Sequence, residues 1–264
     1  MSQVSVACFG LQGFGNDLLR SLQSVERADV TVIHTREAAY PFGYYPCESI
    51  EAAAGRIGVP VHVVPSKGSW DCDSADLAII SSFHRILEKK HLDRFHRVIN
   101  IHPSLLPEYK GATPTNWMVR NAEQIVGLTA HQVDEGIDTG PILFQRRVLN
   151  PYLNDHQLRK ALSFLTRDLI AEIVGRFPNY EKMSISGSGS RHVARTEADA
   201  IARVDDFNSI EELIHHIKAF TNYPMPKIDI DGGIFVVDYE DPVESIQIEL
   251  AGESCRLLGY WQAS

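Results

Sequence analysis

The segment Val98–Gly140 contains amide, imidazole and carboxylate side chains, which are common in catalytic sites, and begins with a short apolar run. Asn100 and His102 lie two residues apart where that run ends, so in an extended strand their side chains point to the same face. An amide N–H can stabilise a developing oxyanion and an imidazole can carry a proton, so the pair suits an acyl-transfer centre. A buried polar pair that fixes the following Pro-Ser-Leu-Leu-Pro turn explains the spacing equally well.

Three carboxylates follow in the glycine-punctuated segment Asp134–Gly140, namely Asp134, Glu135 and Asp138. A carboxylate there could orient the ring of His102 or raise its pKa, which would complete a base and its orienting group. A solvated acidic turn is the commoner fate of a lone Asp in such a loop. From the residues alone, both interpretations stay open.

The elements that position this segment are short apolar runs alternating with helix-like stretches. Strand-like runs are Val4–Phe9, Val30–His34, Val61–Val64, Leu77–Ser81 and Val98–Ile101, and helix-like stretches are Asn16–Ser24, Glu48–Ile57 and Lys89–Phe95. Strands that are apolar on both faces, alternating with amphipathic helices, predict an α/β fold with a mostly parallel sheet. Ligands bind beyond the carboxyl ends of such strands. A strand pair, Gly127–Gln132 and Ile142–Val148, and one long helix, Asp155–Phe177, are predicted to follow.

A smaller unit is predicted after the long helix. Ser184–Ser190, SISGSGS, has the composition of a flexible linker or exposed loop. Ser209–Phe220 has helical spacing behind a capping serine, and strand-like alternation surrounds the hairpin-type turn Asp231–Gly233. We therefore expect an α/β domain over residues 1–204 and a helix-plus-strands appendix over residues 205–264.

Composition narrows the possible partners and compartment. The 264 residues carry 25 Lys and Arg against 34 Asp and Glu, a net charge of −9, which disfavours a nucleic-acid partner. Four scattered cysteines without ligand spacing predict neither a metal site nor a disulfide framework. We expect a cytoplasmic protein, because no leader-like or membrane-spanning apolar segment is visible. His215 and His216 are predicted to lie on a solvated helix face.

The segment Asn100–Pro114 reads NIHPSLLPEYKGATP, and Asp134–Gly140 reads DEGIDTG. This ordered two-part pattern resembles the formyltetrahydrofolate-dependent formyltransferase family, with weaker similarity over Val4–Val174. The resemblance implies a Rossmann-like sheet and transfer of a formyl group from formyltetrahydrofolate to a primary amine, with no metal. The catalytic trio that it implies is Asn100 as oxyanion donor, His102 as proton acceptor and Asp138 as orienting carboxylate.

The resemblance also implies where the two substrates bind. Folate would lie against two loops that contain Phe83, His84, Arg85, Ile86 and Leu87, and then Val133, Asp134, Gly136 and Ile137. Acceptor-side candidates are Gly10, Gln12, Phe14, Tyr109, Lys110, Asn116 and Trp117. The aromatic stretch Tyr40–Pro46 is either a stacking surface for a base or sugar or a packed loop cover. A tight turn explains the glycines near Gly10 equally well, and a core position explains Trp117. The family often has Leu-Pro where this chain has Leu87-Glu88.

The family's branches differ in the amine that they formylate. The methionyl-tRNA branch typically carries a larger, basic C-terminal domain, whereas residues 205–264 are acid-rich. The glycinamide ribonucleotide branch uses a G-x-G-S-N phosphate loop where this chain has GLQGFGN at Gly10–Asn16. The amino-sugar branch is more similar in size and in the segment Thr113–Trp117, TPTNW.

The resemblance therefore implies N-formylation of a nucleotide-linked amino sugar, as in lipopolysaccharide O-antigen biosynthesis, with no nucleic-acid or membrane partner. Formylation of methionyl-tRNA or of glycinamide ribonucleotide is the alternative, and a binding-only folate sensor is a third hypothesis. Alternating apolar residues between Ile228 and Leu250 additionally predict a homodimer, because so small an appendix can bury little apolar surface by itself.

Overall fold

The computed structural model describes residues 2–36, 47–151, 153–183, 192–193, 200–220 and 225–262. The predicted linker Ser184–Ser190 and the aromatic stretch Tyr40–Pro46 lie outside the described residues. The chain forms two compact units, each built from separate segments. The first contains Met1–Gly111, Val126–Val148 and Arg159–His192, and the second contains Ala112–Ile125, Leu149–Leu158 and Val193–Ser264. The boundary predicted between residues 204 and 205 thus falls inside the last segment of the second unit.

The described elements are numbered in chain order. The strands are β1 (Val4–Gly10), β2 (Ala28–Arg36), β3 (Val61–Val64), β4 (Ala75–Ser81), β5 (Phe95–His102), β6 (Lys110–Gly111), β7 (Ile125–Gln132), β8 (Ile142–Leu149), β9 (His192–Val193), β10 (Ile201–Arg203), β11 (Lys227–Ile230), β12 (Gly233–Val237), β13 (Glu244–Leu250) and β14 (Glu253–Trp261). The helices are α1 (Phe14–Gln23), α2 (Ile50–Arg56), α3 (Lys89–Leu92), α4 (Pro114–Arg120), α5 (Asp155–Phe164), α6 (Thr166–Arg176) and α7 (Ile210–Ala219). None of these helices is long and apolar enough to cross a membrane.

A seven-stranded sheet organises the first unit, in the order β3-β2-β1-β4-β5-β7-β8. The pairs from β3 to β5 are all parallel, whereas β7 runs antiparallel to β5. The central strands β1 and β4 are buried along most of their length, as apolar runs without alternation predict. This confirms the predicted α/β fold with a mostly parallel sheet. All five predicted strand-like runs form strands of that sheet.

Two helix predictions were wrong, one in where the helix ends and one in whether it is continuous. The helix predicted over Lys89–Phe95 ends at Leu92, because Phe95 already pairs with β4 as the first residue of β5. The long helix predicted over Asp155–Phe177 is divided at Leu165, whose N–H donates to the carbonyl of Leu162 at 3.0 Å. That i→i−3 bond replaces the α-helical one and separates α5 from α6.

The second unit contains a five-stranded sheet in the order β10-β11-β12-β14-β13. Asp231 and Gly232 both have positive φ, 52° and 87°, which fits the predicted hairpin turn between β11 and β12. Apolar side chains of the alternating tail, including Ile228 and Ile248, are buried in this unit's own core. The alternation is therefore explained by folding of the unit and gives no evidence for dimerisation.

Helix α7 begins after Ser209, whose hydroxyl accepts a hydrogen bond from the N–H of Glu212 at 3.2 Å, as predicted. The predicted solvated position of its histidines was wrong, because α4 packs against α7 and both rings are buried. His216 is fully buried, and its Nε2 lies 3.1 Å from the carbonyl oxygen of Ala200. Burial lowers the pKa of His216 to about 4.

Candidate active site

Strand pairing brings the predicted catalytic residues together in the first unit. In the antiparallel pair of β5 and β7, Asn100 lies opposite His131 and His102 lies opposite Thr129. Directly opposed residues share one face of a sheet, so these four side chains form one polar patch. The loop after β7 returns Asp138 to this patch, so all three members of the predicted trio meet.

Asp138 is the centre of the arrangement. Its Oδ2 accepts a hydrogen bond from the N–H of Gly111 at 2.8 Å and lies 3.4 Å from Nδ1 of His102. Its Oδ1 accepts from Nδ2 of Asn100 at 3.2 Å and lies 3.3 Å from Nε2 of His131. The backbone of Asp138 is left-handed, with φ 52°, a conformation that Asp tolerates better than most residues. The loop thereby aims its carboxylate at the strand instead of at solvent.

The surroundings of Asp138 keep its carboxylate charged. Burial by itself raises the pKa of this group, but the hydrogen bond with His131, the electrostatic effect of the nearby His102 ring and the N–H of Gly111 outweigh it. The net result lowers the pKa of Asp138 to about 2. A solvated acidic turn, the alternative interpretation, does not describe this residue.

His102 is a buried base with a defined free nitrogen. Its Nε2 lies 2.8 Å from the carbonyl oxygen of Tyr109, which can only accept, so Nε2 carries the hydrogen. Nδ1 therefore holds the lone pair and faces Asp138. Burial lowers the pKa of His102, against the opposing effects of Asp138 and the Tyr109 carbonyl. A neutral ring that can take up a proton at Nδ1 is the consequence.

The turn after β5 is fixed chiefly by residues other than the catalytic pair. The hydroxyl of Thr129 donates to the carbonyl of Ser104 at 2.7 Å and accepts from the N–H of Leu106 at 3.0 Å. Gln145 donates to the Thr129 hydroxyl at 3.0 Å and to the carbonyl of Leu106 at 2.8 Å. The ring of His102 bonds to the carbonyl of Tyr109, and its backbone carbonyl accepts from the N–H of Ser104 at 2.9 Å. This network leaves the side chain of Asn100 available for the site.

The sequence interpretation missed His131. Its Nε2 lies 3.1 Å from Nδ2 of Asn100 and its Nδ1 lies 3.1 Å from the carbonyl of Gln132, so the ring buttresses both Asn100 and Asp138. Its spacing from Thr129 on one strand face was visible, but its partner across the sheet depends on a register that the sequence does not reveal.

The two loops assigned to folate share a common base. Phe83 and Leu87 are buried in one core cluster, and Val133 packs against the same cluster. Beyond this base, Ile86 and Ile137 leave 70% and 51% of their surface exposed. Exposed apolar side chains flanking backbone-rich loops suit a flat, partly polar ring such as a pterin.

The polar residues of these loops mostly shape the loops themselves. The guanidinium of Arg85 donates to the carbonyls of Pro65, Ser66 and Gly68. The carboxylate of Asp134 accepts from the N–H of Gly136 and the hydroxyl of Thr139. Burial, with the nearby charges of Arg159 and Arg36, lowers the pKa of His84 to about 4. Their contact with folate stays a prediction.

The glycine-rich turn before α1 has a clear structural role. A Cβ on Gly10 would come within 2.8 Å of the Cα of Gly15, so the two backbones touch. The N–H of Gly13 donates to Oδ1 of Asn16 at 2.9 Å, and the side-chain amide of Gln12 donates to the carbonyl of Cys47 at 3.1 Å. Phe14, also in this turn, is buried. These contacts favour the tight-turn interpretation over a phosphate cradle.

The remaining acceptor-side candidates divide between the units. Tyr109 and Lys110 adjoin the N–H that holds Asp138, although the ring of Tyr109 is buried. Asn116 and Trp117 belong to the second unit, where the buried amide of Asn116 donates to the carbonyl of Ala219. The guanidinium of Arg120 lies 5.0 Å from the centre of the half-buried Trp117 ring. Asn116 therefore has a packing role in the second unit, and its contact with an acceptor stays a prediction.

The chain is similar to known formyltransferases in sequence and in structure. A family model described as formyl transferase matches residues 67–170. A methionyl-tRNA formyltransferase from Thermodesulfovibrio yellowstonii is 41% identical over 103 residues, 38% of this chain and 33% of the relative. One from Synechococcus sp. is 30% identical over 235 residues, 80% of this chain and 68% of the relative. The matches span 33% to 62% of the length of the first three curated relatives.

Solved structures with the same fold include two formyltransferases. A sugar 3N-formyl transferase crystallised with dTDP and 5-N-formyl-THF superposes with a TM-score of 0.69 at 15% identity, covering 98% of both chains. A 4-N formyltransferase from Francisella tularensis gives 0.65 at 16% identity, covering 89% of this chain and 96% of that one. The extended match to the Synechococcus relative, with the family model and the shared fold, shows that the chain belongs to the formyltransferase family.

Proposed function

We propose that the protein transfers a formyl group from formyltetrahydrofolate to the primary amine of a nucleotide-linked amino sugar. The observation that carries formyl transfer is that an amide donor and a neutral imidazole both meet a charged carboxylate. Nδ2 of Asn100 and Nδ1 of His102 lie 3.2 and 3.4 Å from the carboxylate oxygens of Asp138. These are the groups that attack of an amine on a formyl carbon requires.

The reaction places one demand on each residue. The amine nitrogen bonds to the formyl carbon and its extra proton passes to Nδ1 of His102, whose positive charge then faces Asp138. Asn100 donates an N–H to the oxyanion of the tetrahedral intermediate, exchanging one of its present bonds of 3.1 and 3.2 Å. Cleavage of the carbon–nitrogen bond to the folate completes the transfer, and the proton held by His102 goes to the departing nitrogen.

The loops that share the Phe83, Leu87 and Val133 base fit the folate donor. Their exposed Ile86 and Ile137 offer apolar surface, and their backbones offer donors and acceptors. Formyltetrahydrofolate would supply the formyl group in an activated amide, while the chain supplies binding, orientation and proton transfer. No side chain of these loops needs to change charge for this role.

An amino-sugar acceptor is supported by the structural neighbours and by charge. The sugar 3N-formyl transferase covers 98% of the chain, and so residues of both units. A net charge of −9 is unfavourable for binding a polyanionic tRNA, because such binding relies on positive charge. Methionyl-tRNA is the second candidate acceptor, favoured by the names of the curated relatives.

The test is an acceptor panel. The enzyme is incubated with formyltetrahydrofolate and, in separate reactions, nucleotide-linked amino sugars, initiator methionyl-tRNA and glycinamide ribonucleotide. Mass spectrometry should show one added formyl group on an amino sugar only. Formylation of the tRNA or the ribonucleotide with every sugar inert would refute the acceptor assignment while leaving formyl transfer intact.

A further inference from the structure

Three metal-ligating side chains outside the formyl-transfer site converge beside β2 and β3. They are His34 on β2, His62 on β3 and Asp73 in the segment that leads into β4. One ligand atom from each lies within 4.8 Å of the other two. His34 and His62 are direct partners in the parallel pair of β2 and β3, so the register of the sheet sets their proximity.

The separations match those of atoms that share one small cation. Oδ2 of Asp73 lies 2.9 Å from Nδ1 of His62 and 3.6 Å from Nε2 of His34. Ligands of tetrahedral zinc, each about 2.0–2.2 Å from the ion, lie roughly 3.3 Å from one another. The two observed distances lie on either side of that value, and the longer one is outside hydrogen-bond range.

His34 has a ligand position but no partner. Its side chain is fully buried, and within the described ranges neither Nδ1 nor Nε2 has a hydrogen-bond partner. A buried polar group left in that state is costly and rare in folded proteins. The ring is nevertheless held in place, stacked on Phe9 with 4.6 Å between ring centres and 16° between planes. A metal ion bound to Nε2 would remove part of the free-energy cost of burying this ring.

The other two groups open the cluster to solvent. The side chains of His62 and Asp73 are 52% and 50% exposed. An ion can therefore enter from solvent, and water can complete its coordination. Two imidazoles and one carboxylate, with an open position, form a ligand set typical of zinc and similar divalent transition metals.

We propose that His34, His62 and Asp73 bind one divalent transition-metal ion of the zinc class. The ion would tie the segment between β3 and β4 to the sheet through Asp73. This site is independent of formyl transfer, since none of its ligands contacts the catalytic trio in the structure described above. The site is not visible in the sequence, because its ligands are spread over two strands and a connecting segment, from residue 34 to residue 73.

The test uses the full-length protein freed of metal with a chelator. Titration with Co²⁺ should show uptake of one equivalent with the visible absorption of a low-coordinate cobalt site, and Zn²⁺ should displace it. Zn²⁺ should also raise the melting temperature, because a ligand that binds only the folded state stabilises it. His62→Ala and Asp73→Asn change half-exposed side chains, so both variants should fold.

Each of these variants should bind Co²⁺ at least about tenfold more weakly, since even outer-shell changes commonly cost that much. The matched control is His96→Ala, an exposed histidine on β5 that is outside the cluster, and its Co²⁺ affinity should equal that of the unchanged protein. The proposal is overturned if the unchanged protein takes up no Co²⁺. It is equally overturned if both cluster variants bind as tightly as the unchanged protein, or if the control loses binding to the same extent.

Discussion

Replacing Asp138 by asparagine should expose how much the transfer reaction depends on one negative charge. The substitution keeps the shape of the side chain but removes the charge that faces Nδ1 of His102. Both carboxylate oxygens of Asp138 accept hydrogen bonds, one from the N–H of Gly111 and one from Asn100. In the variant an NH₂ group, which cannot accept, replaces one of these oxygens. Two of the three catalytic groups lose their partner in a single step.

The structure sets the size of the effect. A full positive charge on His102, 3.4 Å from a carboxylate oxygen, is stabilised by about 5 kcal/mol at an effective dielectric constant of about 20. At 1.36 kcal/mol per decade this corresponds to between three and four decades in rate. The new amide oxygen retains part of this attraction as a dipole. We therefore expect kcat/KM for formyl transfer to fall by about 10³.

The assay follows release of tetrahydrofolate under saturating donor, with circular dichroism as a check on folding. Asp93→Asn is the matched control, because Asp93 is exposed and pairs with Lys89 at 3.0 Å, a surface contact worth little. It should react as the unchanged enzyme does. A folded Asp138→Asn variant that keeps more than one tenth of the original kcat/KM would refute the assigned role of the carboxylate.

Three further results are expected. Asn100→Ala should lower kcat by about 10²–10³, the usual effect of losing one oxyanion donor, and an unchanged kcat would contradict that role. Because burial lowers the pKa of His102, kcat/KM should decline in acid with a midpoint below the ordinary histidine pKa of about 6.5. A midpoint above that value would contradict a buried neutral base. Thr129→Val should lower the free energy of unfolding by about 1–3 kcal/mol in a denaturant titration, since the Leu106 N–H and Ser104 carbonyl lose their partner.

Asp138 also links stability to pH. Its pKa is about 2 in the folded protein and about 3.9 in an unfolded chain, so its contribution to stability is complete above about pH 4. That contribution is lost as the pH falls from about 4 towards 2. The melting temperature should decrease less steeply with falling pH in Asp138→Asn than in the unchanged protein. Parallel curves of melting temperature against pH would contradict the lowered pKa.

The parts of the fold set by local pattern were visible in the sequence. Runs such as Leu77–Ser81 are apolar on both faces and form buried strands, and the Ser209 cap marks the start of α7. The two-residue spacing of Asn100 and His102 placed both on one face of β5, which the structure confirms. In each case the evidence lies within a few neighbouring residues.

Features that depend on contacts between distant segments were missed. His131 enters the site through the register of β5 against β7. His216 is buried among the rings of Phe207 and Phe220, with its Nε2 at the carbonyl of Ala200. The break at Leu165 arises where one i→i−3 bond interrupts an otherwise continuous amphipathic pattern. Such outcomes are fixed by tertiary packing, which overrides local propensity.

The most direct test of the central claim is a transfer experiment with formyltetrahydrofolate labelled with ¹³C in the formyl group. The unchanged enzyme and His102→Ala are each mixed with labelled donor and a nucleotide-linked amino sugar, and the sugar is analysed by NMR. The label should appear as a formamide on the sugar amine with the unchanged enzyme and stay on the folate with the variant. Label that remains on the folate in both reactions for every amine tested, or that transfers equally well in both, would contradict formyl transfer by this site.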